Sequence, residues 1–334
     1  MSEKRKRPKT LTAGCLFSGI GGFCAGLHEA GIKVLWANEA DKYASDTYRA
    51  NYPKNRLLEK DVRELSVAGD KLPPVDILTA GFPCQSFSQA GDRKGFDDER
   101  GKLFFEIIRI IQEFGDNKPR MLLLENVPYL QHGKGGEWFE TILCNIQLSG
   151  YWFGRHNCEA LNTKEITDIP QRRERLFMVA MSTSAFPCNN FCFPAPNGKP
   201  LSLKKLINKT RKASQDHYME KDNRYTKIID EALDKSPDSI CQLRRSYARI
   251  NEGECPPLTA NMGEGGWNVP YVRDKWGTRA LTVEECSSLQ GFKSDYFPED
   301  VPKKERYKQL GNAVSVPVAA KLAKECVRAF RENI

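Results

Sequence analysis

Thr12-Ala13-Gly14-Cys15-Leu16-Phe17, then Ser18-Gly19-Ile20 and the run GGFCAGLHEAG (21–31), is the stretch from which the fold can be read. A short apolar run breaks on a glycine-rich turn and gives way to apolar residues at helical spacing, the pattern of a strand, a tight turn and a covering helix. The unit recurs as KVLWAN (33–38) before DKYASDTYRAN (41–51), and as VDILTAGF (75–82) before GKLFFEIIRIIQEF (101–114). RMLLLEN (120–126) precedes EWFETILCNIQLSG (137–150), and RLFMVAM (175–181) closes the series. Such alternation predicts an α/β fold with a mostly parallel, twisted sheet and helices on both faces. Sheets of this class bind ligands at the carboxyl ends of their strands. The rhythm stops near Ser182, where PCNNFCFPAPNGKP (187–200) brings Pro, Asn and Gly punctuation, so a second, smaller unit is expected. The division expected is 1–185 with 305–334 as one domain and 186–304 as the other. Inside the second lies a helix start at Thr282, with Glu285 spaced as its capping box, and the chain closes on an amphipathic helix from about Val316 to Phe330.

The 334 residues, 40% hydrophobic and 28% charged, suit a globular protein, and no run is apolar enough for a membrane span. MSEKRKRPKT, at the start, has no apolar stretch behind its charges, so no secretory leader is expected and the protein is placed inside the cell. The eleven cysteines are odd in number and scattered without a C-x-x-C pair, which favours reduced thiols over disulfides and gives no metal site. The net charge of +8 is regional. Residues 199–250 hold 13 Lys/Arg against 7 Asp/Glu, residues 1–10 hold 5 against 1, and the remainder is slightly acidic. A basic segment beside a near-neutral half is what contact with a nucleic-acid backbone needs.

Four strand ends carry chemistry. The turn Phe17–Gly22 lets backbone approach a ligand, and Glu39, twenty residues beyond Gly19, stands where a carboxylate can accept hydrogen bonds from ribose hydroxyls. Together they indicate a nucleoside-bearing cofactor; Cys24, where the dinucleotide fingerprint needs a small residue, disfavours a nicotinamide oxidoreductase. VDILTAGF runs into Pro83-Cys84, placing a thiol beside the expected cleft, where its thiolate could act as a nucleophile. The glycine-containing stretch Gln89–Gly101 is expected to cover the site as a lid. Glu125 ends a buried strand, is costly to ionise there, and is a candidate proton donor. Arg172, Arg173 and Arg175 before the last strand offer guanidinium forks for a carboxylate or a base carbonyl.

LFSGIGG (16–22), GFPCQSFS (81–88), LLENV (123–127), PQRRERLF (170–177), RALTVEECSSLQGF (279–292) and YKQLGNAV (307–314) resemble, in order, the signature motifs of the cytosine-5 DNA methyltransferase family. They span nearly the whole chain outside about 186–278, and the layout is most similar to small bacterial modification enzymes. The resemblance implies a Rossmann-like catalytic domain with a smaller recognition lobe, S-adenosylmethionine as methyl donor with S-adenosylhomocysteine as product, and no metal. It implies that Phe17, Gly19, Ile20, Gly22, Glu39, Asp61, Val62, Pro83, Leu103, Asn312, Ala313 and Val314 hold the cofactor. Cys84 would be the nucleophile, Glu125 the acid at cytosine N3 and Arg175 the ligand of cytosine O2, with Arg173 supporting the site and Asn126 architectural. Double-stranded DNA is the implied partner, the target base being flipped out of the stack, and residues 186–278 would choose the sequence. Thr259-Ala260 stands where the family often has Thr-Leu. A cognate restriction endonuclease is a candidate partner, and the chain is expected to act as a cytoplasmic, nucleoid-associated monomer. A tRNA cytosine-5 methyltransferase and a catalytically silent DNA-binding paralogue are the alternatives. The length and basic content of the recognition region count against the first, and the intact Cys84, Glu125, Arg173 and Arg175 against the second.

Overall fold

The computed structural model describes residues 10–83, 101–244, 247–264 and 268–332. Eight strands form the larger sheet: β1 (Thr12–Leu16), β2 (Lys33–Asn38), β3 (Arg56–Leu58), β4 (Ile77–Gly81), β5 (Met121–Asn126), β6 (Tyr151–Trp152), β7 (Cys158–Asn162) and β8 (Glu174–Ser182). Their order is β3-β2-β1-β4-β5-β8-β6, with β7 also paired to β8. β1 to β5 run parallel, whereas β8 runs antiparallel to β5 and to its own neighbours β6 and β7. Chain order reverses between β1 and β4, the switch at which a crevice opens beyond the strand ends.

The helices are α1 (Gly22–Glu29), α2 (Lys42–Asn51), α3 (Leu103–Glu113), α4 (Glu137–Leu148), α5 (Thr163–Ile166), α6 (Arg224–Lys235), α7 (Val283–Gln290), α8 (Lys303–Asn312) and α9 (Val316–Glu332). The central strands read as continuous apolar runs because both faces are buried. In β5, Leu122 and Leu124 turn toward Ile107 and Phe139 of α3 and α4, while Met121 and Leu123 turn toward Leu27 and Leu322 of α1 and α9. Phe186 and Phe191 join the second layer, Phe186 meeting Phe330 edge-on at 5.2 Å. The C-terminal segment is two helices, broken where Ala313 turns extended (φ −64°, ψ 145°). None of the helices among the described residues is long and apolar enough to cross a membrane.

A second, antiparallel sheet contains β9 (Ile240–Arg244), β10 (Tyr247–Asn251), β11 (Tyr271–Asp274) and β12 (Gly277–Ala280), in the order β10-β9-β11-β12. One face is covered by Ile229 and Leu233 of α6. The other, through Ile240 and Val272, packs into a cluster with Leu281, Leu289 and Leu310 that reaches Ile20 and Ala44 of the first lobe. Buried Arg279 secures this lobe, holding both carboxylate oxygens of Glu285 at 2.8 Å and Asp274 at 2.8 Å. Glu285 in turn closes the capping box of α7 with Thr282.

Candidate active site

The turn after β1 is shaped by Phe17 and Gly19, both with positive φ (51° and 54°). Gly19 N–H donates to Glu39 Oε2 at 2.7 Å, and Glu39 Oε1 accepts from Ala40 N–H (2.9 Å) and Asp41 N–H (2.8 Å). The carboxylate expected to meet ribose hydroxyls therefore also fixes the turn. Burial pushes its pKa up against the pull of those three N–H groups. A Cβ on Gly19 would meet nothing within 4 Å and project into open space, whereas one on Gly22 would stand 2.4 Å from the carbonyl oxygen of Val314. The turn thus presses directly on the segment that follows α8.

Glu125, the penultimate residue of β5, lies beside Gly81 of β4 and is buried. Its carboxylate lies 3.1 Å from Arg175 Nε. Burial raises its pKa above the ordinary 4.5, and the charges of Arg175 and Arg173 only partly offset the rise. Arg173, also buried, gives Nη1–H to the carbonyl of Leu258 (2.7 Å) and Nη2–H to those of Gly311 (3.0 Å) and Ala313 (2.9 Å). It joins the Leu258 segment to the end of α8 and the residue that follows it. Gln171 extends the junction, donating to the carbonyl of Leu289 at 2.6 Å and accepting from Leu258 N–H at 3.2 Å. Asn126 donates to the carbonyl of Phe82 (3.2 Å) and accepts from Val127 N–H (2.9 Å), tying the ends of β4 and β5 together.

These groups surround one cavity of about 210 Å³. Its wall brings together Phe17, Gly19, Ile20, Gly22, Glu39, Pro83, Asn312, Ala313 and Val314 with Glu125, Arg173 and Arg175. Asp61, Val62 and Leu103 are not in this lining. Asp61 turns back to pair with Arg63 (2.7 Å), Val62 is buried in the core, and Leu103 packs at the start of α3. Cys84, which follows Pro83, and the lid segment up to residue 100 lie outside the described residues. Thr259-Ala260 lies directly against Gly311. The sequence reading missed Lys308 and Gln309 on the wall, although both fall inside the YKQLGNAV segment. Gln309 accepts from Thr47 Oγ1 at 2.9 Å, and its buried Nε2 has no partner among the described residues. A backbone turn with open space above it, a carboxylate at its rim and apolar Phe17 and Ile20 fit a nucleoside-bearing ligand. Among the described residues, no three His, Cys, Asp or Glu side chains gather as a metal site.

A family model described as C-5 cytosine-specific DNA methylase matches residues 12–328. The chain belongs to this family. As a C-5 cytosine-specific DNA methylase it is an enzyme that acts on DNA, and membership implies S-adenosylmethionine as methyl donor. Type II methyltransferase M.Bsp6I of Bacillus sp. (strain RFL6) is 39% identical over 325 residues, which cover 96% of this chain and 99% of that protein. Type II methyltransferase M.NgoBI of Neisseria gonorrhoeae is 33% identical over 318 residues, 94% and 92% of the two chains. Among solved structures, a DNMT2 variant of Spodoptera frugiperda superposes with a TM-score of 0.70 at 18% identity, covering 96% of this chain and 100% of that one. A putative DNA modification methyltransferase encoded within an E. coli prophage gives 0.70 at 22%, covering 96% and 100%. At those identities the likeness speaks for the shared fold alone.

Proposed function

We propose that this DNA methylase transfers a methyl group to C5 of a cytosine flipped out of one duplex sequence, through a covalent bond between Cys84 and C6. The observation that carries this reading is Glu125: a carboxyl group with a raised pKa, 3.1 Å from Arg175, on the wall that begins at the glycine turn and ends at Pro83, one residue before Cys84. Cytosine C5 is a weak nucleophile. Addition of the Cys84 thiolate at C6 forms the C–S bond and sends an electron pair through the ring to N3, where protonated Glu125 donates a hydrogen bond or its proton. C5 then carries enamine-like electron density. Arg175, already beside Glu125, orients the base through its O2 carbonyl. The glycine turn, Glu39 and Asn312–Val314 would hold S-adenosylmethionine, which when bound would offer an electrophilic sulfonium methyl for C5. A base then removes the C5 proton, the electron pair restores the C5–C6 double bond and the thiolate leaves. The attack approaches from above the ring, so the base must leave the stack, which costs a few kcal/mol.

Arg173 acts in this scheme as a positioning residue, holding Gly311 and Ala313 on the cavity wall. Residues 1–185 with 305–334 form the catalytic domain, to which Phe186 and Phe191 also belong by their packing beside α9, and the rest of 186–304 forms the recognition lobe, with DNA between them. The Type II names of the relatives support a role in protecting host DNA from a cognate endonuclease. Bisulfite sequencing of plasmid DNA from cells expressing the chain tests the reading. One sequence context should be protected by wild type and none by Cys84→Ser; plasmid with no protected cytosine under wild-type expression would refute it.

A further inference from the structure

We propose that the ribbon β9–β10 reads base edges of the target duplex, with Gln242, Arg244 and Arg249 as the specificity-determining side chains; this deepens, and rests on, the reading of the chain as a DNA methyltransferase. In the ribbon Tyr247 pairs with Arg244, Arg249 with Gln242 and Asn251 with Ile240, while Ala248 pairs with Leu243 and Ile250 with Cys241. Residues directly opposed across an antiparallel pair share a face. One face is therefore apolar, and its Leu243, Ala248 and Ile250 pack with Ile229 and Leu233 of α6. The other presents Gln242, Arg244, Tyr247 and Arg249.

The direction of that second face is set at its base. Side chains alternate along a strand, so Ile240 lies on the face of Gln242 and Arg244. Ile240 is buried in the cluster that contains Ile20 and Ala313 of the cavity wall. The polar set thus stands on the side of the small sheet that faces the cofactor lobe. Four residues at about 3.4 Å each carry Arg244 roughly 14 Å beyond that packed base. Tyr247 keeps 59% of its surface, and Arg244 and Arg249 are exposed.

Charge distribution within the lobe points the same way. Arg273 is engaged by Asp230 and Asp234, and Arg279 is buried on Asp274 and Glu285. Arg244 and Arg249, by contrast, have no carboxylate partner among the described residues, and Arg244 contacts only the amide oxygen of Gln242, at 3.3 Å. Two uncompensated guanidinium groups and a carboxamide on a rigid two-stranded ribbon match what a major groove offers. The groove admits such a ribbon, Arg forks onto guanine O6 and N7, and Gln onto adenine N6 and N7.

The test uses the full-length enzyme and duplexes carrying its site or a single altered base pair. Protection of one context by wild type establishes the enzyme reading independently, so the variants report on the ribbon alone. Gln242→Ala, Arg244→Ala and Arg249→Ala should each lower kcat/KM on the cognate duplex by roughly 5- to 150-fold. Each should also abolish discrimination at one base pair while leaving S-adenosylmethionine affinity and the unfolding midpoint unchanged. Wild-type discrimination at every position in all three variants would overturn the proposal. So would a loss uniform across all duplexes with a salt slope reduced by about one per residue, the mark of phosphate contacts.

Discussion

Replacing Arg173 by methionine removes the clamp between the Leu258 segment and the cavity wall while filling much of its volume. The lost contacts include three hydrogen bonds from a guanidinium only 2% exposed, to the carbonyls of Leu258, Gly311 and Ala313 at 2.7, 3.0 and 2.9 Å. Hydrogen bonds from a charged donor contribute about 1.5–3 kcal/mol each. Their sum is not realised, because methionine also relieves the cost of burying a cation, but each carbonyl left buried without a donor costs about 1–3 kcal/mol. Against a total stability on the order of 5–15 kcal/mol, that is a large fraction. The damage centres on Gly311 and Ala313, so S-adenosylmethionine affinity should fall together with the urea midpoint. A second signature is electrostatic. The charge of Arg173 helps to hold down the pKa of Glu125, so its loss lets that pKa rise further and moves the alkaline limb of the residual rate to higher pH. Urea unfolding by tryptophan fluorescence, cofactor titration of the folded variant and a pH–rate profile give the three readouts. A variant with the wild-type midpoint, affinity and alkaline limb would refute this account of Arg173.

Glu125→Gln should lower kcat by roughly 10²–10⁴-fold, the usual contribution of a general acid, and abolish the alkaline limb. Because the folded pKa is raised, the carboxyl stabilises the fold at low pH and loses that contribution as pH rises through it. The amide variant should therefore melt no lower than wild type at pH 8, and a clear drop there by calorimetry would contradict the direction of the shift. Gly22→Ala places a Cβ 2.4 Å from the Val314 carbonyl and must part the turn from the C-terminal segment. At about 1–3 kcal/mol for overpacking, cofactor Kd should rise by about 5- to 150-fold in a binding titration, and an unchanged Kd would show that the two segments do not jointly shape the pocket.

The catalytic layer was legible because its central strands are buried on both faces and its turns carry glycine or a polar residue at each strand end. RLFMVAM was recognisable as a strand but not as antiparallel, since a strand buried on both faces reads alike in either direction. The smaller, antiparallel sheet escaped for the opposite reason. ICQLR and YARIN (240–244 and 247–251) are short and half-exposed, and their alternation was submerged in a basic, polar stretch. Within the site, Glu125 could be read from its place at a strand end. The work of Arg173 could not, because the carbonyls of Leu258, Gly311 and Ala313 that it holds meet only through tertiary packing. Lys308 and Gln309 went unnoticed beside the more conspicuous Asn312, though the same helix brings them to the wall.

The most direct test of the account is covalent trapping on a duplex whose target cytosine carries fluorine at C5. If Cys84 adds to C6 before methyl transfer, the final step must remove the group at C5, and fluorine cannot depart as a proton does. The enzyme should then remain attached to DNA as a denaturation-resistant band that requires S-adenosylmethionine and is absent with Cys84→Ser, whose hydroxyl is a far poorer nucleophile. A wild-type enzyme that methylates the unmodified site yet never gives this band, or a Cys84→Ser variant that still gives it, would contradict the mechanism.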